Sequence, residues 1–291
     1  MKLKLKQKRS RLKRRDSFID ADGEIYFKKY FAQKSTLKDL FSAYSDDYAR
    51  YRPSYPPSMF EYIYSKIDCF DLAWDCGTGN GQSASELAKS FTRVYATDIS
   101  EQQLVNAPQT NNVVYAKESS EKTTLADNSV DLITVAQALH WFDLRPFYKE
   151  VNRVAKRNAI LAAWTYNLLS VDEHVDAYIH DFYFKTLEGY WHAERNYVDT
   201  GYANLPFPYS VMDSPQFYIE TLWKLEDLIA YLNTWSGLKN FISINKSNPT
   251  DKLYEDLQVA WKAEEVKTIK FPLYLKLAKV SSFHENNFYF D

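Results

Sequence analysis

A glycine-rich turn at residues 75–81 is the segment of this chain best suited to chemistry. It reads Asp-Cys-Gly-Thr-Gly-Asn-Gly, so that Gly77, Gly79 and Gly81 occupy every second position. Glycine has no Cβ, and its backbone can therefore approach a ligand closely. A dinucleotide-binding turn places its third glycine one position later, in the order Gly-x-Gly-x-x-Gly. The spacing therefore disfavours a dinucleotide as the ligand.

Two acidic residues accompany the turn. Asp75 directly precedes it and suits a ligand with a cationic amino-acid portion better than a pyrophosphate. Asp98 ends the next predicted strand, where an acid can accept hydrogen bonds from both hydroxyls of a ribose. The glycine turn, the acid at the end of the next strand and the α/β alternation together favour a ligand site over a purely structural turn, and such an acid occurs in both nucleotide and adenosyl sites.

The elements that must position these residues alternate between strand and helix. Apolar runs predict strands at 71–76, 93–98, 113–117, 130–136 and 159–165, and helical patterns lie at 81–91, 100–106 and 144–154. Strands that alternate with helices in this way predict a parallel, doubly wound sheet.

The pattern changes after residue 165. Helices are predicted at 171–187, 225–235 and 250–261, within an aromatic-rich and partly irregular region. Two β-rich stretches, 266–271 and 273–280, are separated by Pro272 and predict a closing hairpin at the sheet edge, where proline is tolerated. The expected domains are a basic extension (1–40), a cofactor-binding core (41–165), a cap for substrate recognition (166–262) and C-terminal strands that complete the sheet (263–291).

The chain resembles the class I S-adenosylmethionine-dependent methyltransferases of the type 11 group over about residues 41–280. The segments that carry the resemblance are 75–81, 52–56 (Arg-Pro-Ser-Tyr-Pro), 128–133 (Asn-Ser-Val-Asp-Leu-Ile), 136–142 (Ala-Gln-Ala-Leu-His-Trp-Phe), 195–202, 206–208 and 234–236. The later segments are similar to the branch that contains trans-aconitate methyltransferases. The resemblance implies a Rossmann-like, mostly parallel seven-stranded sheet with a C-terminal antiparallel hairpin and a helical or irregular cap.

The resemblance also implies roles for individual residues around the cofactor. Gly77, Thr78 and Gly79 would line its methionine part, with Asp75 near the ammonium group. Asp98 would hold the ribose hydroxyls. Further expected contacts are Ile99, Ser120 and Glu121 at the adenine and Gln137 beside the sulfonium. The chain departs from its relatives at Glu118, where many carry glycine, and at Thr123-Thr124, which replaces a usual Leu-Pro.

The residues that bind the methyl acceptor are expected to follow the fourth strand. His140 could act as a base, donate a hydrogen bond to an acceptor oxygen, or be structural. Trp141 is expected to wall the acceptor site and to take part with His140 in catalysis. Arg52 and Arg195 could clamp an anionic substrate, because a guanidinium group matches a carboxylate. Each of these side chains could instead be an ordinary packing or surface residue.

Missing motifs narrow the reaction. No Asn/Asp-Pro-Pro-aromatic segment follows the fourth strand, and the chain has no Pro-Cys pair. Methylation of exocyclic amino groups or of cytosine carbon is therefore not expected, and no metal site is predicted. The expected reaction is O-methylation of a carboxylate or hydroxyl on a small molecule, with carbon or sulfur methylation as alternatives.

Charge is unevenly distributed along the chain. Residues 1–15 hold nine Lys and Arg and no acid, so with a total of −2 the remainder carries −11. An acidic body disfavours nucleic acid as the main partner. A nucleic-acid or protein methyltransferase that uses the basic arm remains an alternative, as does a cofactor-binding protein without turnover.

Cys69 and Cys76 form no disulfide framework or zinc motif, and no secretory signal or membrane-spanning run is evident. A cytoplasmic protein without a membrane partner is expected. The sequence carries no signal for an oligomeric state.

Overall fold

The computed structural model of the protein describes residues 53–262 and 265–280. The predicted basic extension at 1–40 and the candidate substrate residue Arg52 lie outside the described residues. No helix within the described ranges is both long enough and apolar enough to cross a lipid bilayer.

Five parallel strands form the core of the sheet, in the order β3-β2-β1-β4-β5. They are β1 (Leu72–Cys76), β2 (Arg93–Asp98), β3 (Val113–Lys117), β4 (Val130–Ala136) and β5 (Ala155–Tyr166). The central strand β4 is buried at every position but its last, as expected for a parallel strand covered on both faces. The helices between and before them are α1 (Pro57–Tyr64), α2 (Gln82–Leu87), α3 (Glu101–Val105) and α4 (Leu144–Val154).

Two antiparallel strands complete the seven-stranded sheet, which extends as β5-β7-β6. They are β6 (Phe217–Trp223) and β7 (Lys267–Lys279). This confirms the predicted fold class, but the antiparallel pair is built from other segments than expected. The two stretches around Pro272 form one continuous strand, which lies between β5 and β6 rather than forming a hairpin with itself.

Pro272 is accommodated within β7 because β5 ends beside it. The last β5–β7 pair joins Tyr166 to Leu273, and the Pro272 carbonyl accepts a hydrogen bond from the Asn167 N–H at 3.1 Å. The proline nitrogen, which has no proton to donate, therefore faces the end of the hydrogen-bond ladder between β5 and β7. Only one potential hydrogen bond between these two strands is lost at Pro272.

The region between β5 and β7, predicted as a cap, is more helical than the sequence indicates, and its strand β6 belongs to the sheet. It contains α5 (Glu173–Asp181), α6 (Arg195–Asp199), α7 (Leu225–Leu232), α8 (Ser236–Asn245) and α9 (Thr250–Ala260). The helix expected over 171–187 changes at Phe182 into a π-helical turn, Phe182–Thr186. Such turns insert one extra residue and often occur near functional sites. Here the turn buries both Phe182 and Tyr183.

Apolar side chains cover both faces of the sheet. One cluster joins α1 and the cap helices to one face and includes Phe60, Trp164, Trp235 and Phe271. The other packs α4 against the opposite face and includes Trp74, Phe147 and Tyr202. The sheet is thus packed on both faces, and residues that follow the carboxyl ends of β1, β2, β3 and β4 form the candidate site.

Candidate active site at the carboxyl ends of the strands

The glycine turn after β1 requires glycine for steric reasons. Gly77, Gly79 and Gly81 have φ values of 69°, 56° and 79°, in the left-handed region that favours glycine. A Cβ on Gly77 would lie 2.7 Å from the Ala138 Cβ, and one on Gly81 would lie 2.5 Å from the Tyr115 hydroxyl oxygen. The turn therefore runs close against both neighbouring segments.

Asp75 stabilises this turn from the protein interior. Its carboxylate is fully buried and accepts hydrogen bonds from the hydroxyls of Thr78 at 2.5 Å and Thr134 at 2.7 Å. Burial raises the pKa of Asp75, while the hydrogen bonds from Thr78 and Thr134 act in the opposite direction. Both carboxylate oxygens are thus engaged by the protein. The expected contact between Asp75 and the cofactor ammonium stays a prediction.

Asp98 joins the end of β2 to the same turn. Its two oxygens accept hydrogen bonds from the backbone nitrogens of Gly79 at 2.9 Å and Ser100 at 2.8 Å. Burial raises the pKa of Asp98, and the backbone N–H groups oppose that shift. Each carboxylate oxygen keeps a further lone pair, so the group can still accept two hydroxyls. Ile99 beside it is 50% exposed and offers an apolar surface at this edge.

The segment after β3 is tied to the start of α4. The hydroxyl of Ser120 donates to Glu121 Oε1 at 2.8 Å, and the same oxygen accepts the Asp143 N–H at 3.2 Å. Ser120 is buried and Glu121 is half-buried. Both residues are thus fixed in position, and their expected adenine contacts stay predictions.

The two departures from the family pattern in this segment contact each other. Glu118 accepts hydrogen bonds from the Thr124 N–H at 3.0 Å, the Thr124 hydroxyl at 2.7 Å and the Tyr95 hydroxyl at 2.9 Å. A proline at 124 has no N–H to donate, and a glycine at 118 has no acceptor. The two residues therefore form one hydrogen-bonded pair.

Gln137 follows β4 in a strained conformation. Its φ is 57°, which is uncommon for a residue with a side chain. The backbone N–H donates to the Trp164 carbonyl at 2.9 Å, and Oε1 accepts from the Thr165 hydroxyl at 2.9 Å. The Nε2 group is buried and has no hydrogen-bond partner among the described residues. A strained residue with an unpartnered buried donor indicates a ligand-binding position.

His140 and Trp141 lie on a 3₁₀ turn, Leu139–Trp141, which Ala138 separates from Gln137. His140 Nδ1 lies 2.9 Å from the hydroxyl oxygen of Tyr202, a fully buried residue of the cap. The Trp141 ring contacts the His192 ring edge-on, with 5.8 Å between ring centroids. The candidate acceptor residues are therefore held by the cap.

Arg195 begins α6, which packs against the 3₁₀ turn. Its Nε donates to the Tyr183 hydroxyl at 2.7 Å and to Asp199 Oδ1 at 3.1 Å. The guanidinium lies over the Trp191 ring, 5.1 Å from its centroid. Neither Nη1 nor Nη2 has a hydrogen-bond partner among residues 53–262 and 265–280, so the end of the guanidinium is available to an anion.

A glycine in α8 fixes the aromatic surface under Arg195. A Cβ on Gly237 would lie 2.7 Å from the Trp191 ring, so only glycine allows this ring to lie against the helix. The Trp191 Nε1 group donates to the Tyr183 carbonyl at 3.2 Å. The Trp191 ring is thus held by the backbone of α8 at Gly237 and by the Tyr183 carbonyl at its Nε1 group.

The structure brings most of the predicted site residues to one edge of the sheet. Sequence reasoning missed Tyr202 as the partner of His140 and missed Tyr183 and Asp199 as the partners of Arg195. Of these contacts, only the one between Arg195 and Asp199 could have been inferred from the sequence. The two residues are four positions apart, and such residues are neighbours on a helix.

Comparisons with known proteins give a consistent result. A family model described as a methyltransferase domain matches residues 74–163. A Dictyostelium discoideum protein named as a methyltransferase is 34% identical over 249 residues, 83% of this chain and 95% of its own length. A solved structure from Anaeromyxobacter dehalogenans, described as a type II methyltransferase, is 36% identical with a TM-score of 0.74 and covers 78% of this chain and 97% of its own.

Proposed function

Since this chain belongs to the class I S-adenosylmethionine-dependent methyltransferases, we propose that it methylates an oxygen of a small anionic acceptor. S-adenosylmethionine is its cofactor and S-adenosylhomocysteine its product. Segments 195–202 and 206–208 support a closer relation to the branch that contains trans-aconitate methyltransferases. The observation that carries the proposal is the open guanidinium of Arg195, on a helix that packs against the turn of His140 and Trp141.

The residues at the strand ends fit the cofactor. The glycine turn presents backbone without a Cβ, Asp98 has lone pairs for two ribose hydroxyls, and the exposed side of Ile99 suits a purine ring. Gln137 Nε2 is a buried donor with no acceptor among the residues that the structure describes, and a ligand oxygen or nitrogen could supply one. In this proposal Gly77, Thr78 and Gly79 line the methionine part, and Ser120 and Glu121 border the adenine.

In this proposal Arg195 binds the acceptor at a carboxylate distant from the oxygen that is methylated. A carboxylate that approaches Nη1 and Nη2 of Arg195 would form two parallel charge-assisted hydrogen bonds. Tyr183 and Asp199 fix the guanidinium through Nε, and Trp191 supports its face, so little conformational freedom is lost on binding. A nucleic acid would instead need a positive groove, whereas residues 16–291 carry a net charge of −11.

The main contribution of the protein to the reaction is alignment. When bound, the cofactor would supply an electrophilic methyl group for an acceptor oxygen. Asp98 and the glycine turn fix the cofactor, Arg195 fixes the acceptor, and Trp141 with the neighbouring aromatic rings excludes water. Holding two reactants in the productive geometry can lower a barrier by about 7–11 kcal/mol.

The proposal is tested with a cofactor that carries a labelled methyl group. The enzyme is incubated with a cell extract separated into protein, nucleic acid, anionic metabolites and neutral metabolites. We expect label in the anionic metabolites, and much less transfer with the Asp98→Ala variant at the same cofactor concentration. Label in protein or nucleic acid with none in the anionic fraction would contradict the proposed acceptor class.

A further inference from the structure

A second histidine, His192, lies on the loop that leads into Arg195 and contacts the turn after β4. Its backbone carbonyl accepts the Arg195 N–H at 3.0 Å. Its ring meets the Trp141 ring edge-on, with 5.8 Å between the ring centroids. His192 is therefore a direct neighbour of two residues, Arg195 and Trp141, that the proposed function places at the acceptor.

The His192 imidazole is buried but makes few polar contacts. The residue is only 9% exposed. Its Nε2 lies 3.5 Å from Asn240 Nδ2, which donates a hydrogen bond to the Tyr190 carbonyl at 2.9 Å. Its Nδ1 has no hydrogen-bond partner among residues 53–262 and 265–280. Because buried polar atoms normally have a partner, Nδ1 is a position where a ligand atom would complete the contacts of the ring.

The charge of His192 determines which ligand group suits it. Burial lowers the pKa of His192, and the negative charge of Glu194 only partly opposes that shift. The neutral imidazole adds no positive charge to the site. A carboxylate at Nδ1 would therefore be desolvated without a counter-charge, which is costly, whereas an uncharged oxygen avoids this cost. A hydroxyl can bond to Nδ1 in either tautomer of the ring, and a carbonyl can bond to it when Nδ1 is protonated.

We propose that His192 binds the acceptor through a hydrogen bond between Nδ1 and an uncharged oxygen, a hydroxyl or carbonyl, near the carboxylate that Arg195 binds. This inference rests on the proposed methyl transfer and deepens it by narrowing the acceptor to a hydroxy or oxo acid. Arg195 recognises the charge of the acid, and His192 distinguishes it from an acid that lacks the extra oxygen.

Three substitutions separate binding by Nδ1 from packing. Asparagine places its amide where His192 has Nδ1, glutamine places it near Nε2, and phenylalanine keeps only a ring. With the acceptor from the labelling screen, His192→Phe and His192→Gln should raise KM about five- to tenfold, as expected for one lost hydrogen bond. His192→Asn should keep KM within about threefold of the unchanged protein.

Two further measurements complete this experiment. The affinity for S-adenosylhomocysteine, measured by calorimetry, should be the same in all three variants. His180→Phe is the control, because His180 is an exposed histidine of α5, and it should change neither acceptor KM nor cofactor affinity.

A structural role of His192 would give a different pattern. If the ring only packs against Trp141, His192→Phe should be the least affected variant. If it only supports Asn240, His192→Gln should restore KM and His192→Asn should not. Either pattern, or equal losses in all three variants, would overturn the proposal when thermal unfolding shows that the fold is intact.

The acceptor class has its own test. The acceptor should carry a hydroxyl or carbonyl besides its carboxylate, and an analogue without that oxygen should have a KM about five- to tenfold higher in the unchanged protein. In His192→Phe the acceptor and the analogue should have equal KM values. Discrimination that persists in His192→Phe, or an acceptor with carboxylate oxygens alone, would overturn the proposal.

The labelling screen distinguishes failure of this inference from failure of the proposed function. An anionic acceptor whose KM does not depend on His192 would contradict this inference alone. Label in neutral metabolites, with a KM that His192→Phe raises and His192→Asn restores, would contradict the carboxylate contact of Arg195 and support the contact of His192. Label in protein or nucleic acid alone would contradict both.

Discussion

The Asp98 carboxylate lies 2.9 Å from the Gly79 backbone nitrogen and so links the end of β2 to the glycine turn after β1. The glycine turn and Asp98, the two clearest motifs of the sequence, are therefore joined by a hydrogen bond. Asp98 shapes the turn with one lone pair of each oxygen and keeps the other for a ligand.

Replacing Asp98 should weaken cofactor binding strongly. Asp98→Ala removes acceptors for two hydroxyls, which costs about 2–3 kcal/mol and lowers affinity at least tenfold. Calorimetry with S-adenosylhomocysteine measures this directly. Glu101→Gln is the matched control, since Glu101 is an exposed acid nearby that pairs with Lys117 at 2.7 Å. Unchanged affinity in Asp98→Ala would remove this residue from the cofactor site.

Cofactor affinity should also depend on pH through Asp98. Burial raises its pKa above the ordinary value of 3.8, and only the ionised group can accept two hydroxyls. Affinity should therefore be complete above the raised pKa and fall as pH decreases through it, earlier than for an exposed aspartate. Binding measured across this range should show the fall in the unchanged protein and not in Asp98→Asn. Parallel curves for the two proteins would contradict the assignment.

The glycine turn should tolerate no Cβ at Gly77. Gly189 serves as the control, because its φ of 77° resembles the 69° of Gly77 but nothing lies within 4 Å of an added Cβ. Gly189→Ala should cost about 1–2 kcal/mol of unfolding free energy from backbone strain alone. Gly77→Ala should cost about 1–3 kcal/mol more, because its Cβ also meets Ala138. Equal losses in urea unfolding would show that the turn relaxes around the new group.

The parallel strands could be predicted because their signals are local. The expected limits of β2, β3 and β4 agree with the structure, although only β4 is buried along nearly its whole length. Strand β6 was missed although buried and exposed positions largely alternate along it. Pro272 misled the prediction of β7, because its effect depends on where β5 ends.

The candidate site also contains contacts that the sequence predicts and contacts that it does not. The glycine turn and Asp98 lie within one strand–helix–strand unit, so their proximity follows from the fold. The contact between His140 and Tyr202 joins residues 62 positions apart and depends on how the cap packs. The inward orientation of Asp75 follows from the Thr78 and Thr134 hydroxyls, whose orientations no spacing rule fixes.

The most direct test of the proposed function is the effect of Arg195→Lys on acceptor KM and on cofactor affinity, measured in the same preparation. Lysine keeps the charge but loses the paired N–H groups, so acceptor KM should rise about ten- to a hundredfold while cofactor affinity stays constant. Arg157→Lys, at an exposed arginine, should change neither value. An unchanged acceptor KM in Arg195→Lys, with the fold intact by thermal unfolding, would contradict the claim that this arginine binds the acceptor.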